Sequence, residues 1–151
     1  MANIVEQIIS AGKTTIAANI VESGFAELDY YVDLTKNNFR TNHKRYGFVP
    51  KEAVGSEAGI NRYYTLDHTF EVILTKRADT RTDDSSVISV LNDLYDEMDN
   101  IFQAFHLTKL GLSSIVMLID GPSIDEPEYL EDNRLVVLRG SFIIKYRQAI
   151  N

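Results

Sequence analysis

Between residues 84 and 108, apolar side chains recur at steps of three and four: Val87, Val90, Leu91, Leu94, Tyr95, Met98, Ile101, Phe102 and Phe105. That spacing gathers them on one side of a 3.6-residue helix. Asp93, Asp96, Glu97 and Asn100 fall on the opposite side. Asp83, Asp84 or Ser85 can cap the first amides, and Lys109 with Gly111 marks the end. A long helix with one apolar stripe must bury that stripe against a second layer. The remaining chain therefore has to supply that layer.

It does so as strands. Residues 65–77 alternate, with Leu66, His68, Phe70, Val72 and Leu74 on one face and Thr69, Glu71, Ile73, Thr75 and Arg77 on the other. Residues 134–147 repeat the pattern, with Val136, Leu138, Gly140, Phe142, Ile144 and Tyr146 sharing a face. Residues 25–34 alternate through Leu28, Tyr30, Val32 and Leu34, and residues 113–120 form a short apolar strand. Residues 2–22 carry Ile4, Val5, Ile8, Ile9, Ile16, Ile20 and Val21 close to helical spacing, with Gly12 expected to bend or break that helix. Residues 35–64 are polar, hold Gly47, Pro50, Gly55 and Gly59, and read as a long loop or hairpin excursion with a short strand at Phe48–Val49. Residues 121–133 read as an acidic loop opened by Gly121-Pro122. The order is α-β-(β)-β-α-β-β. The expected fold is α+β: one domain spanning 1–151, with a mainly antiparallel sheet and two helices packed on one of its faces.

Composition limits what such a domain does. The chain has 151 residues, enough to bury roughly 68–70% of its unfolded surface without staples. There is no cysteine, so disulfides, thiolate chemistry and cysteine metal sites are excluded. No apolar run reaches the roughly 18 residues of a membrane span, and Met1–Glu6 lacks a signal-peptide pattern, so a chain made in the cytosol is expected. The net charge of −7, from 22 acidic and 15 basic residues, is the wrong sign for gripping DNA phosphates.

Motifs of catalysis do not assemble. Gly12-Lys13-Thr14-Thr15 resembles the end of a phosphate loop, but Gln7 stands where that loop needs glycine and the preceding segment reads as helix. His43, His68 and His106 lie on a loop, a strand and a helix end without metal-ligand spacing. His68, on an apolar strand face, reads as a hydrogen-bonded core or interface residue rather than a general base. No enzyme activity, cofactor or metal is expected. Charge blocks are the more informative feature. Residues 35–51 carry Lys36, Arg40, Lys44, Arg45 and Lys51 with no acid, interleaved with Phe39, Tyr46 and Phe48. Residues 120–132 carry Asp120, Asp125, Glu126, Glu128, Glu131 and Asp132 with no base. Arginine with aromatic residues suits nucleic acid or a protein interface, and the overall acidity favours the interface. The candidate interface residues are Phe39, Arg40, Lys44, Arg45, Tyr46 and Phe48 on one segment, and Asp125, Glu126, Glu128 and Tyr129 on the other.

The Phe70-Glu71-Val72-Ile73-Leu74 strand is followed by the acidic helix Val87 to Phe105. Then come a short apolar strand, an acidic loop and the closing run Val136-Val137-Leu138-Arg139-Gly140-Ser141-Phe142-Ile143-Ile144-Lys145-Tyr146. In this arrangement, over nearly its whole length, the chain resembles the tail terminator, or tail completion, proteins of long-tailed bacteriophages. The resemblance implies a virion protein assembled in the host cytoplasm. It implies a six-membered ring of identical subunits that caps the tail tube protein and docks a neck or head-completion protein, with DNA passing through but not gripped. It brings no catalytic residues. The long 35–64 excursion departs from the smaller members and keeps open a neighbouring neck or head-closure protein. A small-ligand or enzymatic domain using His68 is the remaining alternative.

Overall fold

A computed structural model describes residues 3–57, 63–78, 84–112, 116–130 and 134–149. The fold is α+β, with two α-helices and a six-stranded, mostly antiparallel sheet. In chain order the elements are α1 (Ile4–Asn19), β1 (Ala26–Glu27), a 3-10 turn (Leu34–Lys36), β2 (Arg45–Glu57) and β3 (Tyr63–Arg77). Then follow α2 (Asp84–Thr108), a second 3-10 turn (Lys109–Gly111), β4 (Val116–Ile124), β5 (Glu128–Leu130) and β6 (Leu135–Ala149). The sheet order is β1-β2-β3-β6-β4, and β5 pairs with the start of β6 beyond the end of β4. Among the described residues only the β1–β2 pair is parallel.

Three segments differ from what the sequence pattern suggests. The alternation at 25–34 yields a strand only at Ala26–Glu27. Beyond it, the buried Asn37 side chain takes over the backbone. Its Oδ1 accepts from the amides of Asp29 (2.9 Å) and Tyr30 (3.0 Å), and its Nδ2 donates to the carbonyls of Tyr30 (2.7 Å) and Leu34 (3.1 Å). Local amide bonds of this kind compete directly with a sheet ladder. The supposed excursion at 35–64 instead contains β2, paired with β3 from Arg45↔Thr75 to Glu57↔Tyr64. A bulge between Pro50 and Ala53 breaks its alternation, which is why it carries no period-two signal. The 121–133 loop is also partly strand: β4 runs on through Gly121-Pro122 to Ile124, and β5 follows. Asp83, Ser113–Ile115, Glu131 and Asp132 lie outside the described residues.

Helix α1 is continuous through Gly12. Asn3 caps it, accepting from the Glu6 amide (2.8 Å), and the Glu6 carboxylate accepts from the Asn3 amide (3.3 Å). Ile8, Gly12 and Ile16, four apart, form its buried stripe. Gly12 is there because Phe48 is: a Cβ at position 12 would lie 2.2 Å from Phe48 Cε2. Gly140 plays the same part under α2, where a Cβ would meet Phe102 Cζ at 2.6 Å.

The main core joins Ile8 and Ile16 to Leu94, Met98, Ile101 and Phe105 of α2, and to Phe48, Phe70, Val72, Leu138, Phe142 and Ile144 of the sheet. Phe48 stacks on Phe70 with centroids 5.2 Å apart and also meets Phe105 and Phe142. A second, smaller core uses the opposite strand alternation: Ile73, Val49, Leu135 and Val137, capped by Leu28, Leu34 and Phe39. The crossing segment 28–43 is tied down from the sheet. Thr75 Oγ1 donates to the His43 carbonyl (2.9 Å), the Arg77 amide to His43 Nδ1 (3.0 Å), and Arg77 Nη2 to the Phe39 carbonyl (2.7 Å).

Candidate functional site

The residues expected at an interface divide into those the fold consumes and those it leaves outside. Phe39 and Phe48 are 2% exposed and belong to the two cores, so neither can be an apolar contact to another molecule. Arg45 donates to three carbonyls of its own chain, those of Asn42 (3.1 Å), Glu27 (3.1 Å) and Asn38 (3.4 Å). Lys44 donates to the Ser23 carbonyl (3.2 Å) and lies 3.4 Å from Glu22. Tyr46 is half-buried against the main core, and burial, then the nearby Glu27 carboxylate, raises its phenol pKa. Of this group only Arg40 is exposed. On the other segment, Asp125, Glu126 and Tyr129 are exposed, and Glu128 binds Arg139 at 3.0 Å. The two segments are not held apart by the sheet: Leu34 and Phe39 at the first share the smaller core with Leu135 and Val137 of β6 and with Leu130 at the end of β5.

A charged row crosses the sheet face that carries the smaller core. Glu71, 8% exposed, accepts from Arg139 Nη1 (2.9 Å) and lies 3.7 Å from Lys51. Arg139 reaches on to Glu128, which links β2, β3, β6 and β5. Past this row, from Lys51 to Gly55, every β2 residue is exposed, although β2 still pairs with β3. Both alternations of that ribbon therefore face outward.

His68 is bound on both ring nitrogens. Its Nε2 lies 3.1 Å from the Lys51 carbonyl, which can only accept, so Nε2 carries the proton and donates. Nδ1 is left to accept from the Tyr146 hydroxyl at 3.1 Å. Burial lowers its pKa, with the Lys51 bond pulling the other way. The ring thereby fastens the β2 bulge to the sheet. Glu97, expected on the solvent side of α2, is instead 7% exposed and accepts from the Val21 amide at 2.8 Å, closing the exit from α1. Burial raises its pKa against the lowering effect of the amide bonds from Val21 and Glu22, while the charges of Glu22 and Asp96 raise it further. Lys13 pairs with Glu27. Among the described residues no group of three metal-ligating side chains converges.

One exposed feature escaped the sequence pattern. Tyr30, Tyr31 and Val32 are 55%, 50% and 90% exposed. They form the tip of the loop that Asn37 holds, with Asp33 fixing its far side by accepting from the Thr35 amide (3.1 Å) and hydroxyl (2.6 Å). Asp33-Leu34-Thr35 and the following Asn37 were the available signal, as turn-forming side chains inside an apparent strand. No protein-family model matches the sequence, and none of the curated proteins compared with it matches either.

Proposed function

We propose that the chain is a structural subunit of a phage tail, a tail terminator whose copies close into a ring on the tail tube and offer a docking surface for the neck. In this reading two helices cover one face of the sheet, and the sheet edges and opposite face serve assembly. The chain holds no cofactor and performs no catalytic step, DNA passes without being gripped, and assembly takes place in the host cytoplasm.

The observation that supports the reading is exposed charge of both signs in two short segments. Lys36 and Arg40 are exposed on the loop over the smaller core, and Asp125 and Glu126 are exposed between β4 and β5. A neighbour that brings one group against the other makes a heterologous contact, which closes a ring when the rotation closes. The Lys51–Gly55 ribbon points the same way, because a ribbon outside any core gains stability when a neighbour covers it.

Light scattering on the eluting protein tests this. The expected mass is about six times the 17.1 kDa of one copy. Arg40→Glu should slow assembly and make it more salt-sensitive, and Asp125→Lys with Glu126→Lys in the same chain should restore part of the rate. Lys44 and Arg45 are unsuitable for this exchange because they hold their own loop. A monomer at every concentration and salt would refute the ring.

A further inference from the structure

The outer strands of the sheet are not equally protected against pairing with another chain. β4 is irregular, with register shifts between Val116 and Leu118 and between Asp120 and Ser123, and Pro122 lies in the second. β2 is covered at its start by β1 and the residue after it: the Ala26 and Leu28 amides donate to the carbonyls of Lys44 (3.1 Å) and Tyr46 (2.8 Å). Pro50, Lys51 and the bulge follow. Broken register, proline and lysine are the usual means of blunting a sheet edge. Past the bulge, β2 resumes in register with β3 from Ala53↔His68 to Glu57↔Tyr64, and Ala53-Val54-Gly55-Ser56 contains no proline and no charge.

The polar groups of this ribbon are fixed by the ladder. The Tyr46 carbonyl points to Leu28, away from β3, and in an antiparallel pair that direction alternates residue by residue. β3 carries the alternation past the bulge, from Leu74 opposite Tyr46, through Phe70 opposite Pro50, to His68 opposite Ala53 and Leu66 opposite Gly55. Pro50, with no N–H, thus stands where β3 needs none. Ala53 and Gly55 turn their N–H and C=O groups outward, and among the described residues no backbone group bonds them. Val54 lies between them, 58% exposed.

We infer that this free half of β2 pairs antiparallel with the same segment of a second copy, across a twofold axis at Val54. That register sets Ala53 opposite the second copy's Gly55, so the outward groups of both copies meet in hydrogen-bonded pairs. Val54 falls opposite its own counterpart in a non-hydrogen-bonded pair, where side chains approach most closely, and two exposed apolar residues cover each other. Glu52 falls opposite Ser56, so no like charges oppose one another from 52 to 56. Main-chain bonds supply the attraction, as in other additions of a strand to an open edge. The contact is isologous and closes on itself, unlike the head-to-tail contact of a ring, and it does not depend on the ring reading.

The absence of cysteine lets single substitutions report the contact. In a non-hydrogen-bonded pair the Cα atoms are about 4.5 Å apart, within reach of a disulfide. Val54→Cys alone should therefore give a covalent dimer under mild oxidation. Glu52→Cys, on the same ribbon but four residues along from its counterpart, should give several-fold less. So short a contact is weak, and the parent should pair at high concentration, where its mass in light scattering doubles. Gly55→Pro removes an outward N–H and no bond to β3, and Val54→Lys opposes two like charges at the axis. Each should abolish the doubling and leave the melting temperature of the subunit unchanged. A Val54→Cys yield no higher than that of Glu52→Cys overturns the contact, as does a mass that never doubles or a doubling that both other variants leave intact. Doubling from six copies to twelve supports this contact and the ring together, whereas doubling from one copy to two supports this contact and overturns the ring.

Discussion

Gly12→Ala sets a local gain against a packing loss, and the structure decides the sign. Alanine in place of a mid-helix glycine favours the helix by about 1 kcal/mol. Here the added methyl would sit 2.2 Å from Phe48 Cε2 and 2.5 Å from Cδ2. The Phe48 ring has nowhere to go, being held against Phe70, Phe105 and Phe142 with centroids 5.2, 5.6 and 5.9 Å away. Overpacking of that kind costs about 1–3 kcal/mol. The cost exceeds the gain, so Gly12→Ala should lose stability, and the melting point should fall by about 2–4 °C for each kcal/mol lost. Urea unfolding in two backgrounds separates the two effects. Phe48→Leu removes the ring edge, and in that background Gly12→Ala should recover the helix gain of about 1 kcal/mol. If Gly12→Ala stabilises the otherwise unchanged protein, the close approach of α1 to β2 is wrong.

Two further changes address α2. Leu94 is fully buried in the main core, so Leu94→Ala should cost about 2–5 kcal/mol in urea unfolding, and an unchanged midpoint would remove α2 from that core. Glu97 is a buried carboxyl whose folded pKa is raised above the ordinary value of 4.5. The folded state then holds the proton more tightly than the unfolded chain, so stability falls as pH rises from about 4.5 through the raised folded pKa. Glu97→Gln keeps an oxygen for the Val21 amide and removes the ionisation. Its melting temperature relative to the parent should therefore rise with pH across that window, and a relative melting temperature that falls with pH would show that the charge itself is wanted there.

The clearest parts of the sequence were those whose burial is one-sided and regular. The 84–108 periodicity corresponds to α2, and the alternations at 65–77 and 134–147 lie within β3 and β6. β2 was hidden because Gly47 accommodates Leu28, Pro50 and the bulge interrupt the ladder, and Lys51–Gly55 is exposed on both sides, so no alternation exists to read. The opposite error occurred at 28–34. Leu28 and Leu34 are buried and the residues between are not, a pattern that imitates a strand until Asn37, distant by several residues, is seen to claim the backbone. Among the interface candidates, aromatic and basic residue types did not reveal which of them face inward. Phe39 and Phe48 are core residues, and the carbonyls that occupy Arg45 belong to Glu27, Asn38 and Asn42, brought to it only by the folded loop.

A side chain committed to its own fold is not available to a neighbour, and this limits where binding energy in a ring can come from. Of the five basic residues in 35–51, Lys44, Arg45 and Lys51 are engaged within the chain, while Lys36 and Arg40 are exposed. On the acidic side Glu128 is paired with Arg139. The exposed charges of the two segments are therefore few and solvated, and exposed pairs contribute about 0–1 kcal/mol each. They can orient an approaching copy and speed its arrival, but they cannot hold it. Holding has to come from apolar surface that the fold leaves uncovered, and among the described residues the largest contiguous run of it in sequence is Tyr30-Tyr31-Val32, on a loop that Asn37 fixes before any partner arrives. Charge on the two segments would then select the orientation, and uncovered apolar surface would set the lifetime. Salt should alter the rate of ring formation more than its stability, and tip substitutions should do the reverse.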